Sequence, residues 1–246
     1  MDFQPLLHEH EDDGVVWLAD DGARELGVLV AFSARLGGVS RAPYDTLNLA
    51  VRVGDDRGDV MENRRRAGAA AGFDAQRLAL ALQVHAADVI DVGASDAGVL
   101  GEADGLFTEA RGPVLGILAA DCAPVALWGS RGVALVHAGW RGLVAGVVAK
   151  GVEKVGEVHA AWVGPSIHAC CYEGGPEVVA GFTAAGLPVD DPSHVDPGRA
   201  AGAALNAAGV ERVVVSDVCT HCDERVISYR RDGVTGRHGA FVSLLA

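Results

Sequence analysis

The chain has 246 residues, half of them apolar, and a formal net charge of −13. That length supports one large domain or two small ones. The acidity excludes non-specific binders of nucleic acid or anionic membrane, which need a cationic face, while leaving room for a local basic pocket. No apolar run is long enough to span a bilayer, and residues 1–5 (MDFQP) lack the basic and apolar regions of a secretory signal, so the expected compartment is the cytoplasm. Five cysteines, Cys122, Cys170, Cys171, Cys219 and Cys222, make an odd set. In a reducing compartment they read as thiols or metal ligands rather than a disulfide framework.

In chain order, residues 8–13 (HEHEDD) form a polar cluster. Near a terminus such a run is expected to be solvated and mobile. It is not a zincin motif, since Asp12 stands where the second histidine belongs. From residue 14 strand-like and helix-like segments alternate. Runs rich in Val, Leu and Ile, bounded by Gly, Pro or Asp, predict strands over 15–18, 28–33, 78–85, 88–92, 105–108, 114–120, 125–128, 132–136, 158–163, 212–216, 226–229 and 240–244. Helical patterns fall at 60–71, 143–155, 176–185 and 199–208; in the second, Leu143, Val147, Val148 and Val152 share a face. Residues 190–193 read as a loop. There is no internal repeat and no long linker, so a single α+β domain with one large sheet or two packed sheets fits best.

Three apolar runs end on borderline or soft metal ligands: His85 after 80–84, Cys122 after 115–121, and His137 after 133–136. Two imidazoles and one thiolate suit Zn²⁺, and three protein ligands leave a fourth tetrahedral position open, the catalytic arrangement. Copper accepts the same ligands. A second reading makes Cys122 a nucleophile, with His85 or His137 as its base and Asp121 orienting the histidine. Gly139-Trp140-Arg141-Gly142 then joins a strand to a helix, and Arg141 adds a forked donor for phosphate or carboxylate at that helix start. Cys219-Thr220-His221-Cys222 is a C-x-x-C that, with Cys170-Cys171, offers a Cys₄ zinc site or a redox pair. The adjacency of Cys170 and Cys171 argues against the first, and a late position before a strand against the second. Phosphate-loop, dinucleotide and nucleophile-elbow motifs are missing, as is the zinc nucleobase deaminase signature.

These residues carry a resemblance. Residues 32–40 (FSARLGGVS), 43–49 (PYDTLNL), 53–56, 62–64, 83–85 (QVH), 103–105 (ADG), 120–124 (ADCAP), 137–142 (HAGWRG), 164–167 (GPSI), 171–173 (CYE), 219–220 and 228–233 (SYRRDG) together are similar to the YfiH-type laccase-domain family. Its members are also described as multicopper polyphenol oxidase-like proteins, purine nucleoside phosphorylase-type enzymes and peptidoglycan editing factors. The chain departs from the family at Ser33, Val51-Arg52 and Gly174, where threonine, a small residue with histidine, and valine are usual.

The resemblance implies a four-layer α/β/β/α sandwich with mixed sheets over 27–246, preceded by a variable segment and first strand at 1–26. It implies metal ligation by His85, Cys122 and His137, usually to zinc. The activity it implies is phosphorolysis of adenosine, inosine and methylthioadenosine to base and ribose 1-phosphate, with adenosine deamination. Editing of peptidoglycan precursors and copper-dependent polyphenol oxidation are the alternatives. On the first reading the metal ligands and Arg141 are catalytic, and Arg35, Asn48 and Arg141 bind substrate. The partners are then a small purine nucleoside and phosphate, with no nucleic acid or membrane, in a monomer or small homo-oligomer.

Overall fold

The computed structural model describes residues 3–245. The chain opens with a hairpin of β1 (His8–Asp12) and β2 (Val15–Ala19), joined by Asp13 and Gly14 with φ of 48° and 76°. An Asp-Gly pair with positive φ at both positions matches the right-handed strand twist. The polar cluster is thus an edge strand rather than a loose tail: its alternation with the apolar β2 lets it pair while facing water. Then follow α1 (Asp21–Glu25), β3 (Val28–Ser33), α2 (Arg57–Ala71), β4 (Leu78–Leu82), β5 (Val89–Asp91), β6 (Gly98–Glu102), β7 (Gly105–Thr108) and β8 (Val114–Ala119). The second half holds β9 (Ala123–Gly129), β10 (Gly132–Ala138), α3 (Trp140–Val144), α4 (Val147–Val155), β11 (Val158–Val163), α5 (Pro176–Ala184), α6 (Pro197–Ala207), β12 (Val213–Val215), α7 (Tyr229–Asp232) and β13 (His238–Leu244).

The strands form two mixed sheets. One runs β1-β2-β3-β13-β8-β4-β6 and the other β12-β11-β9-β10-β7-β5. Side chains alternate between faces along each strand. Val28, Val30 and Phe32 of β3 face the second sheet, meeting Leu106, Leu135 and Trp162, while Leu29 and Ala31 pack with Ala67 and Ala71 of α2. In the second sheet Val133 and Leu135 point inward, and Ala134 and Val136 pack outward against Val147 and Val148 of α4. All six residues of β3 and all seven of β10 are buried, because both faces of each strand are covered. The order is therefore helix, sheet, sheet, helix, as the resemblance implied.

Asp20 ties the N-terminal segment to this core. Its carboxylate accepts from the indole N–H of the fully buried Trp162 at 2.8 Å, caps α1 through Ala23 N–H at 2.8 Å, and accepts from Leu6 N–H at 2.8 Å. The described part of residues 1–26 completes the first sheet.

Beyond β1, α1 and β6, which the sequence patterning did not predict, three predicted elements take a different form. The strand over 78–85 stops at Leu82, and the chain turns through His85 at φ 62°. The helix over 143–155 is two pieces, since Gly146 at φ 82° interrupts it. The strand over 226–229 is replaced by the turn entering α7, where the Ser228 hydroxyl accepts from Arg231 N–H at 3.1 Å.

Candidate metal centre and its cavity

Three segments from two sheets converge. His85 follows β4 of the first sheet, His137 lies on β10 of the second, and Cys122 sits in the turn from β8 to β9 that crosses between them. One ligand atom from each lies within 4.8 Å of the others. The two imidazole rings stand edge to face with centroids 4.9 Å apart. A Cβ on Gly139 would come within 3.0 Å of His85 Cδ2 and 3.1 Å of Cys122 Sγ, so the backbone closes one side of the centre.

Asp104, with no role in the sequence reading, organises this geometry. It is fully buried, and one carboxylate oxygen accepts from His137 Nδ1 at 2.8 Å. The other accepts from the backbone N–H groups of Val84 and Ala86, at 3.0 and 2.7 Å. One carboxylate thus fixes the His137 ring and clamps the turn that holds His85 in the left-handed region. Burial would raise the Asp104 pKa, but these hydrogen bonds outweigh it and hold it low. A carboxylate–histidine–metal relay fixes the tautomer and strengthens the ligand. The sequence alternative gave this task to Asp121. Instead, Asp121 (φ 89°) accepts from the Thr220 hydroxyl at 2.6 Å and from Arg230 N–H at 2.7 Å, anchoring two later loops beside Cys122.

Burial alone would raise the Cys122 thiol, but His137 and His85 overcome it and bring its pKa down to about 6. Burial would likewise lower His137, yet Cys122 and Asp104 raise it to about 9. Both shifts run in the direction that favours the thiolate–imidazolium form of the pair. A divalent cation held here would take the place of the imidazolium proton, and a thiolate is the form of Cys122 that would ligate it. The donor set, its spread and its oriented histidine fit zinc, with an open fourth position.

The centre opens into a cavity of about 530 Å³. Its wall carries five arginines (Arg52, Arg64, Arg141, Arg230, Arg237) and a single acidic residue, Asp121. Three of the guanidiniums lie over aromatic rings that also line the cavity: Arg141 over Trp140 at 4.2 Å, Arg230 over Tyr172 at 5.0 Å, and Arg237 over Tyr229 at 5.7 Å. Such stacking holds a guanidinium plane in place while its edge donates; Arg237 spends NH1 on the Thr235 and Gly236 carbonyls, at 3.1 and 2.7 Å, and Arg230 NH1 reaches the Glu173 carbonyl at 3.4 Å. Arg52, at a position where the family usually has histidine, is thereby on the wall. Burial keeps the Tyr172 phenol above its ordinary pKa, so it stays a donor.

Among the residues singled out from sequence, His85, Cys122, His137 and Arg141 meet at this cavity. Arg141 is more than half exposed and lies 3.9 Å from Glu177. α3 is only five residues long, too short to offer an anion site at its N-terminus by itself. Arg35 and Asn48 are not on the wall. Arg35 is spent on Asp45 and Asp232, with NH1 3.0 Å from Asp232 and NH2 3.2 Å from Asp45. Asn48 is fully buried; its amide donates to Ala50 and Asp55 and accepts from Ala50 and Arg237 N–H. Asn48 thereby braces the wall from behind, through Ala50 and Arg237. Arg230 and Tyr229 lie in the quoted SYRRDG stretch and Arg64 in the quoted segment 62–64, which were the available signals; Arg237 gave none, since its neighbourhood arises from folding.

A family model described as multi-copper polyphenol oxidoreductase laccase matches residues 29–245. The chain is 37% identical over 232 residues to YfiH of Escherichia coli (strain K12), covering 89% of this chain and 95% of that protein. It is 35% identical over 270 residues to YlmD of Geobacillus stearothermophilus, covering 97% of each. Both proteins bear the name purine nucleoside phosphorylase. The crystal structure of YlmD from G. stearothermophilus superposes with a TM-score of 0.88 at 33% identity, over 98% of this chain and all of that one.

Proposed function

The chain belongs to the YfiH/YlmD family of laccase-domain proteins, and we propose that it is a zinc-dependent purine nucleoside phosphorylase working at the His85–Cys122–His137 centre. The observation that carries this reading is one cavity in which a three-ligand centre faces five arginines. Zinc held there would polarise a bound oxygen or nitrogen through its open position.

The remaining work falls to the chain's own side chains. Arg141, Arg230 and Arg237, each braced on a ring, hold phosphate by forked, charge-assisted hydrogen bonds. Leu80, Leu82, Val99, Leu118 and Ile167 supply apolar wall for the nucleoside, with Tyr172 donating from its protonated phenol. In phosphorolysis a phosphate oxygen bonds to the anomeric carbon while the C–N bond breaks, and its electron pair leaves with the base, which takes up a proton. Holding phosphate and sugar together turns an encounter of two solutes into a reaction within one complex. The substrates in this reading are adenosine, inosine and methylthioadenosine, with deamination of adenosine, in which water displaces ammonia, as a second reaction.

Zinc-loaded protein incubated with adenosine and phosphate is expected to yield adenine and ribose 1-phosphate, with some inosine, resolved by chromatography. Arg230→Ala should raise KM for phosphate roughly tenfold, the scale of one lost charge-assisted bond. No adenine, inosine or sugar phosphate above a His137→Ala control would overturn the reading. The Cys122 thiolate also favours a cysteine nucleophile on amide substrates. Turnover that survives chelation but is lost on alkylating Cys122 would select that chemistry. Polyphenol oxidation through several coppers is less well supported: among the described residues the only other group of three or more metal-ligating side chains contains no histidine.

A further inference from the structure

Cys170, Cys171, Cys219 and Cys222 are used by nothing in the chemistry above, and their sulfurs form one cluster within 4.8 Å. Four of their separations are 3.5 Å (Cys170–Cys171), 3.8 Å (Cys170–Cys219), 3.8 Å (Cys170–Cys222) and 3.3 Å (Cys171–Cys222). A tetrahedral ion with Zn–S arms of about 2.3 Å sets its sulfurs about 3.8 Å apart. A disulfide needs about 2.05 Å, and all five cysteines are free. We propose that these four cysteines form a second, structural metal centre that takes a tetrahedral thiophilic divalent cation, zinc, independently of the centre in the cavity.

The sequence objection was that adjacent cysteines cannot both ligate. The fold removes it. The chain turns tightly at 168–172, with Cys171 N–H and Tyr172 N–H both donating to the His168 carbonyl at 3.0 and 2.9 Å, and this directs two neighbouring sulfurs at one point. The other pair comes from a C-x-x-C turn closed by Cys222 N–H and Asp223 N–H on the Cys219 carbonyl. The Cys219 sulfur also accepts from His168 N–H at 3.4 Å, a backbone contact suited to a thiolate ligand. All four positions of the tetrahedron are filled by protein, the closed arrangement of a structural site.

The centre has a place in the architecture. One arm carries Tyr172, on the cavity wall, and Glu173, whose carbonyl lies 3.4 Å from Arg230 NH1. The other carries Thr220, which anchors Asp121 beside Cys122. An ion at the four sulfurs staples these two loops behind the wall of the cavity.

The full-length chain, purified under reductant and dialysed against a weak chelator, is expected to retain two zinc ions by elemental analysis. Cys122→Ser should retain one, and X-ray absorption on that variant should show four sulfurs at about 2.3 Å. Cys222→Ser should also retain one, bound by nitrogen and sulfur. A Cys122→Ser variant that retains no zinc, a nitrogen-containing shell in that variant, or a Cys171–Cys222 disulfide in protein isolated without metal would each overturn the proposal, whereas one ion in the wild type held by four sulfurs would support it and tell against the cavity centre instead. If Cys222→Ser does not fold, the absorption spectrum of Cys122→Ser decides alone.

Discussion

Asp104 is the residue on which the metal centre turns. Its two oxygens face opposite ways, one toward His137 and one toward the turn around His85. Asn at this position offers one acceptor and one donor, so it serves either the ring or the two backbone N–H groups, never both. Asp104→Asn should weaken zinc binding by about 10–100-fold, the usual scale for such a partner, with His85, Cys122 and His137 intact. Competition against a fluorescent zinc indicator measures this, and unchanged affinity would remove Asp104 from the relay. The three candidate ligands were legible only as a set: a lone buried cysteine or strand-end histidine is ordinarily structural, and it is three such runs together, with the segments around them, that single them out. Asp104 was not, because its importance arises only when β7 lies beside β10 and the 84–86 turn folds over it. A different buried group sets an acid limit. His238 is fully buried, neither ring nitrogen makes a well-formed hydrogen bond among the described residues, and burial drives its pKa down to about 4 from 6.5. Between those values the unfolded chain takes up a proton that the folded chain refuses, so stability falls as pH drops from about 6.5 to about 4. The full loss is on the order of 3 kcal/mol. Urea unfolding of His238→Phe should show a flatter pH dependence across that window; a slope equal to the wild type's would assign the acid sensitivity elsewhere.

At the scale of elements, patterning in the β-strands was the most legible feature, since Val- and Leu-rich runs of strand length have one sheet-like solution when both faces are covered. Breaks were harder to see. Gly146 sits inside an apolar periodicity that continues on either side, and only its positive φ shows that α3 and α4 are separate. The apolar stretch around Val226 was assigned to a strand, yet Arg231 gathers four backbone carbonyls there, from Thr220, His221, Asp223 and Val226, and leaves no ladder partner. The junction of β10 and α3 carries the sharpest element-level prediction. Gly139 has φ −71°, which any residue adopts, so its need is space rather than backbone freedom. An alanine methyl would press on His85 Cδ2 at 3.0 Å and Cys122 Sγ at 3.1 Å. Gly139→Ala should therefore lower zinc occupancy while changing the unfolding free energy of the metal-free protein by less than about 1 kcal/mol. Elemental analysis alongside metal-free denaturation separates the two; full occupancy would mean the ligands yield freely at this point.

For the molecule as a whole, the acidic composition argued against anionic partners in general, and the cavity reverses that locally. Its arginines are scattered from position 52 to 237, so no single stretch of sequence collects them. The same dispersion places the three candidate ligands on both sheets, which would give a bound ion a mechanical consequence. His85 hangs from β4 in the seven-stranded sheet, His137 stands on β10 in the six-stranded sheet, and Cys122 occupies the crossing between them. An ion held by all three pins the sheets together beside the cavity, and it binds the folded state alone because the unfolded chain separates its ligands. At free zinc a thousandfold above Kd, mass action adds about 4 kcal/mol to the unfolding free energy. For a chain of this length that is roughly 8–16 °C in Tm. Chelation followed by zinc titration should recover that shift in the wild type. Cys122→Ser should recover only what the four-cysteine centre supplies, so the difference between the two curves measures the ion between the sheets. Identical shifts in both proteins would mean that the three ligands do not bind zinc together, and the phosphorolysis reading would lose its centre.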